Sequence, residues 1–196
     1  TISVSSIRFL DDLATAIAWL DRHGCSIDPV AQYAGVLKYR RANMFPGGRF
    51  PLPLPALGIP EDALRDAAVD QAAQRVLKGA VVFMFAHELG HIIHSHPRYG
   101  TCIGRVDVQE NELAADRFAI EMFRRIGMVP DGVVPLFTAA AYLQPHRGDF
   151  ASETLWEEYL VTEAPHPVTA RRMRALTLEL AHQPGGFTAR EARHEV

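Results

Sequence analysis

A mainly helical fold is what this chain predicts, and three observations carry it. Apolar residues return every three or four positions in one segment after another. Asp or Pro opens those segments and Gly or Pro closes them. No stretch alternates apolar with polar residues as a half-buried strand does. With 196 residues, 48% of them hydrophobic, the chain can fill one well-packed domain. That domain is expected over 1–183, with a polar tail at 184–196 that is expected to be disordered.

The first helix is expected from Phe9 to His23, with Leu10, Leu13, Ile17 and Leu20 on one face and Gly24 as its stop. Asp28-Pro29 reads as N-cap and first helical position of a second helix running to about Arg41. Residues 46–60 carry prolines at alternate positions, which exclude a central strand and leave an extended loop, or a small edge strand or hairpin near the fourth helix described next. Pro60-Glu61-Asp62 opens a third helix through Lys78, and Gly79 is expected to bend it into a fourth, from 80 to about His96, ended by Pro97. Asp107 then caps a helix running to Ile126, stopped by Gly127. Three more helices are expected at Asp131–Leu143, Ser152–Val161 and Pro167–Ala181.

Composition narrows the role. A net charge of −3 argues against nucleic acid or an anionic membrane as the main partner. Two cysteines, Cys25 and Cys102, make no disulfide framework and fit a reducing cytoplasm. Thr1 to Leu10 lacks the apolar core of a secretory leader, and uninterrupted apolar runs reach about eight residues where a membrane span needs about 20. No membrane insertion is expected. Two lysines against eighteen arginines suggest a GC-rich bacterial genome.

Chemistry concentrates in two segments. His87-Glu88-Leu89-Gly90-His91 lies in an apolar helical run, and Asn111-Glu112-Leu113-Ala114-Ala115-Asp116 follows a short connection later. His87 and His91 are one turn apart and roughly 40° apart around the axis, so both rings can reach one ion. Glu88 sits beside them and can reach a water on that ion. Glu112 is the expected third ligand, preferred over Glu110, which lacks a partner carboxylate four residues on. Asp116 shares the face of Glu112 and is placed to accept the remaining N–H of His87 or His91. The apolar flanks suggest that this fourth helix is buried nearly all round. Two His and one Glu around Zn2+ leave a position open for chemistry, with Glu88 as proton acceptor. His94, seven residues after His87, shares the face and could compete. Cys102 could serve as a ligand but reads better as a small buried residue, and His96 reads as a helix-end cap.

These residues resemble a known family. The pairing of H-E-L-G-H with N-E-L-A-A-D is similar to the gluzincin zinc metallopeptidases, whose third ligand is a glutamate on a second helix. Glu112-Leu-Ala-Ala-Asp-Arg-Phe-Ala119 resembles the E-x-x-A-D/N-x-F-A pattern of ImmA/IrrE-like and HtpX-like proteins. His166-Pro167-Val-Thr-Ala-Arg-Arg172-Met-Arg-Ala-Leu176 resembles the H-P-x-x-x-x-R-I-x-x-L segment of the HtpX/CAAX-protease group. The combination is also similar to the Lit-like phage-exclusion peptidases. The resemblance implies a zincin-like helical core. It also implies roles for His166, as donor to the oxyanion, and for Arg172, which would orient it or bind the peptide backbone; Tyr159 and Tyr99 are weaker donors.

The expected function is therefore a zinc-dependent endopeptidase acting on a protein or peptide substrate through a water activated by Glu88. The alternative is a non-catalytic or regulatory zinc-binding module, in which a protein side chain such as Cys102 or His94 seals the fourth position.

Overall fold

In the computed structural model the described residues are 4–97, 105–162, 164, 166–168 and 170–181. They are helix and short turns, with no strand among them, as a mainly α fold requires. Among the described residues eight α-helices follow in order: α1 Val4–Arg22, α2 Asp28–Tyr39, α3 Pro53–Ala56, α4 Ala67–Ile93, α5 Arg105–Ile126, α6 Val133–Leu143, α7 Glu153–Thr162 and α8 Ala170–Ala181. The contacts divide into two compact units. One comprises Thr1–Ala80 with Asp131–Leu143, the other Val81–Pro130 with Gln144–Val196, and the chain passes from the first to the second within α4.

In the first unit α1 is the central helix. Leu13, Ala16, Ile17 and Leu20 form one stripe of it, and Val30, Tyr33, Ile59, Ala63 and Ala139 complete its core. The segment expected as an edge strand folds otherwise. Pro46–Gly48 is a helical turn and Pro53–Ala56 a short helix, because Pro53 sits at its opening, where the missing N–H costs nothing. Tyr33 holds this segment by donating to the Pro51 carbonyl at 2.9 Å. Asp28 is the first helical residue of α2 rather than its cap, and its N–H is accepted by Ser26 Oγ at 3.0 Å.

Gly79 does not bend the chain; α4 runs unbroken for 27 residues. Its start comes at Asp66, whose Oδ1 accepts the Ala68 N–H at 2.8 Å. Gly79 is needed for close approach instead. A Cβ there would lie 2.6 Å from the Gly132 nitrogen, and a Cβ on Gly132 would lie 1.9 Å from the Val76 carbonyl oxygen. The most apolar 18-residue window of α4 has a mean hydropathy of 1.4, so length and composition alone do not set this helix apart from a membrane span.

The second unit is built on α5, which packs against α7 and α8. Its buried stripe at helical spacing runs Glu112, Ala115, Asp116, Ala119, Ile120 and Phe123, so the two carboxylates lie in the core-facing row itself. α5 begins two residues before Asp107, which falls in its first turn rather than capping it. Arg124 pairs with Glu179 of α8 at 2.8 Å. The tail 184–196 lies outside the described residues.

A methyl group at Gly132 cannot be accommodated without moving backbone, whereas Gly35, inside α2, has nothing within 4 Å of its added Cβ. Gly132→Ala should lower stability by about 3 kcal/mol or more, while Gly35→Ala should raise it by about 0.5–1 kcal/mol. Urea unfolding midpoints of the two variants check both signs.

Candidate metal centre

Four side chains of the second unit converge. His87 and His91 of α4, Glu112 of α5 and His166, which precedes α8, offer ligand atoms all within 4.8 Å of one another. His87 Nε2 lies 3.0 Å from His91 Nε2 and 3.3 Å from Glu112 Oε2, and His91 Nε2 lies 3.3 Å from Glu112 Oε1. These spacings decide whether the donor set fits an ion. Zinc holds nitrogen and oxygen at about 2.0–2.1 Å, and a tetrahedron of that size has edges of about 3.3 Å. The donors fit.

Chemistry agrees with the distances. His87 Nδ1 donates to Asp116 Oδ1 at 2.9 Å, which leaves Nε2 without a proton in the neutral ring. That Nε2 then faces a second ring nitrogen and a carboxylate oxygen. Three electron-rich atoms meet where only a cation or a proton can reconcile them.

The surroundings hold the donors still. His87, Glu112, Asp116 and Arg172 are all buried. Arg172 donates from Nε to Asp116 Oδ2 and from Nη2 to Asp116 Oδ1, both at 2.8 Å, while its Nη1 reaches Glu112 Oε2 at 2.7 Å and the Pro167 carbonyl at 3.0 Å. This is the fork that a planar guanidinium presents to carboxylates. Among the described residues no buried side-chain nitrogen or oxygen lacks a partner.

Close packing sets the distance between the two halves. A Cβ on Gly90 would lie 3.0 Å from Ala115 Cα and 3.2 Å from Phe118 Cβ. The glycine inside His87–His91 therefore brings α4 and α5 near enough for Glu112 to reach both rings. The inward face of α4 is narrower than its apolar sequence suggests. Phe83, Ala86, His87 and Gly90 are buried, but Phe85 and Ile92 are 60% and 72% exposed.

Burial opposes a charge on His87, yet hydrogen bonds to Asp116 and Glu112 outweigh it, and the imidazole is pushed up to about 8. Burial would raise Glu112. Hydrogen bonds from His166, His87 and His91, with the Arg172 charge, override it and hold this carboxyl far below the usual carboxylate range.

The remaining candidates fall into place individually. Glu88 is 57% exposed, and its Oε1 lies 3.0 Å from His166 Nε2, outside the ligand cluster. His166 Nδ1 stands 3.3 Å from His87 Nε2 and from both Glu112 oxygens. Gln144 fixes the segment after it, donating to the Val168 carbonyl at 2.6 Å and accepting the Val168 N–H at 2.9 Å. Glu110 is not in the cluster and pairs with Arg171. His94 meets Phe118 edge-on, and Tyr159 stacks with Trp156 and lies tilted against Phe150. Cys102 and Tyr99 lie outside the described residues. His96, read from the sequence as a helix-end cap, also reaches His91, Nδ1 to Nδ1 at 2.8 Å. The signal for it was a histidine five residues after a ligand histidine, just before Pro97.

Comparison with known proteins adds a family match. A family model described as Peptidase U49 matches residues 50–126, which take in His87–His91 and Glu112–Asp116 but stop short of His166 and Arg172. Over this stretch the chain is similar to a peptidase family, and proteolysis is the activity the match suggests. No curated protein and no solved structure matches.

Two outcomes follow. In the metal-free protein His87 is raised from 6.5 to about 8. Its contribution to stability is then fully present below pH 6.5 and lost as pH rises through about 8. A metal ion in this cluster would need the neutral ring, so affinity for an added divalent ion should climb with pH and level off above about 8, opposite in slope to metal-free stability. Chelator competition and urea midpoints from pH 6 to 9 check both slopes. Gly90→Ala should push α5 outward and weaken binding of an added divalent ion by about 10–100-fold, a loss that the same competition assay reads.

Proposed function

We propose that this chain is a zinc-dependent endopeptidase, with His87, His91 and Glu112 as ligands and Glu88 as the group that moves protons. The observation that carries the reading is the spacing of 3.0–3.3 Å among the three ligands, which matches the edge of a zinc tetrahedron. The peptidase-family match over both segments supports the choice of reaction.

A bound zinc supplies a Lewis acid that brings the pKa of a water down to about 7. Everything else is done by side chains. Glu88 is exposed on the same helix as two ligands without belonging to the cluster, so it takes the proton of the attacking water and hands it to the departing amine. Asp116 holds the His87 tautomer through a 2.9 Å hydrogen bond. Arg172 is buried with its donors committed to Asp116, Glu112 and Pro167, so in this reading it positions the carboxylates and touches no substrate. His166 is the expected donor to the developing oxyanion, which is worth about 3–4 kcal/mol for a well-placed group.

A second reading has one observation in its favour. His166 Nδ1 is as near to His87 Nε2 and Glu112 as those ligands are to each other. A fourth protein ligand there would make the site a closed, non-catalytic zinc module. His166→Ala separates the two. The peptidase reading expects unchanged zinc affinity with slower turnover, and the closed-site reading expects zinc weakened by about 10–100-fold.

Glu88→Gln should keep one zinc per chain and lose turnover by about 10²–10⁴-fold, while His87→Ala should lose both. Elemental analysis of the purified chains, with a proteome-wide comparison of new N-termini in cells carrying each, measures the two properties separately. The same new termini with Glu88→Gln as with wild type would refute the peptidase reading.

A further inference from the structure

The end of α4 copies a pattern used elsewhere in the chain and changes it at three positions. Four described helices close with paired backbone bonds, one spanning five residues and one spanning three. In α1 these run from Cys25 to Leu20 at 2.9 Å and from Gly24 to Asp21 at 3.0 Å. In α3 they run from Ile59 to Leu54 at 2.9 Å and from Gly58 to Pro55 at 3.2 Å. In α5 they run from Met128 to Phe123 at 3.0 Å and from Gly127 to Arg124 at 3.3 Å. In α4 they run from His96 to His91 at 3.0 Å and from Ser95 to Ile92 at 3.1 Å.

The residue in left-handed backbone is glycine in α1, α3 and α5, with φ of 65°, 69° and 65°. In α4 it is Ser95, at 53°. This motif brings the side chains of its first and last residues together, most often as an apolar contact. The other three ends carry Leu20 with Cys25, Leu54 with Ile59, and Phe123 with Met128. In α4 the same two places hold His91 and His96, and their rings meet at 72° with centroids 4.9 Å apart and Nδ1 atoms 2.8 Å apart.

We infer that His96 is a positioning residue for the metal centre, delivered by the helix-ending motif of α4 to accept the Nδ1–H of His91. The inference rests on the metal reading of the cluster. Of the two ring nitrogens of His91, Nε2 faces His87 and Glu112 and must be bare to bind an ion, so Nδ1 carries the proton and needs an acceptor. His96 Nδ1 is that acceptor. His94 stacks on the His96 ring, with centroids 5.5 Å apart at 25°. The two ligand histidines are thus held differently, His87 by the Asp116 carboxylate and His91 by a neutral ring supplied from its own helix end.

Two substitutions in the full chain separate positioning from capping. His96→Leu keeps an apolar side chain where the other helix ends have one, and removes the acceptor. His96→Asn places an oxygen where Nδ1 stood. Zinc dissociation constants come from competition with a chromophoric chelator, ligand geometry from the visible spectrum of the cobalt-loaded chains, and stability from urea midpoints of the metal-free chains. His96→Leu should match wild type in urea yet bind zinc about 10–100-fold more weakly with an altered cobalt spectrum, and His96→Asn should restore affinity and spectrum. Equal zinc affinity in wild type and His96→Leu would overturn the inference alone, as would a loss in His96→Asn as large as in His96→Leu. A wild-type chain that binds no zinc would overturn the metal reading with it. Should His96→Leu fail to fold, His96→Met, matching Met128 at the end of α5, carries the same comparison.

Discussion

Two ring nitrogens and a carboxylate pointed at one small volume form the constraint on which the rest of the second unit depends. His87, Glu112, Asp116 and Arg172 are nearly sealed from solvent. Their formal charges, two carboxylates against one guanidinium, leave one negative charge in excess. Buried charge is tolerated only when it is paired and hydrogen-bonded. The excess explains why His87 takes up a proton so readily in the absence of an ion, and why a divalent cation would be drawn to the same place.

Helix packing makes that charge cluster possible. Gly90 removes the side chain that would hold α5 away, and the row of α5 that meets it alternates alanines with the two acids. α8 then brings Arg172 across both carboxylates, so the fork of one guanidinium fixes the relative placement of Glu112 and Asp116. A network in which every member has a partner is rigid. It keeps the four donors of the cluster in place, so that little reorganisation would remain for binding an ion.

What the sequence revealed follows from how far each signal reaches. The pairing of His87 with His91, and of Glu112 with Asp116, is set by one turn of helix, and the structure brings these residues together. Helix ends marked by Gly24 and Gly127 were legible for the same reason, since a left-handed residue is a local demand. The geometry of Arg172 was not legible, because it depends on a partner 56 residues away and on burial that no local pattern records. Residues 46–60 misled in another way: prolines exclude a central strand but do not choose between an extended edge and a helical turn. Gly79 reads as a bend from sequence alone, while its use is to admit the backbone of Gly132. The exposure of Phe85 and Ile92 was hidden too, because an apolar residue carries no mark of whether its helix has a neighbour on that side.

X-ray absorption at the zinc edge of the purified chain tests the central claim most directly. One zinc per chain, with nitrogen and oxygen ligands at about 2.0–2.1 Å and the outer-sphere scattering of imidazole, is what the convergence of His87, His91 and Glu112 predicts. A sulfur shell at about 2.3 Å, or no stoichiometric zinc at neutral pH, would contradict it.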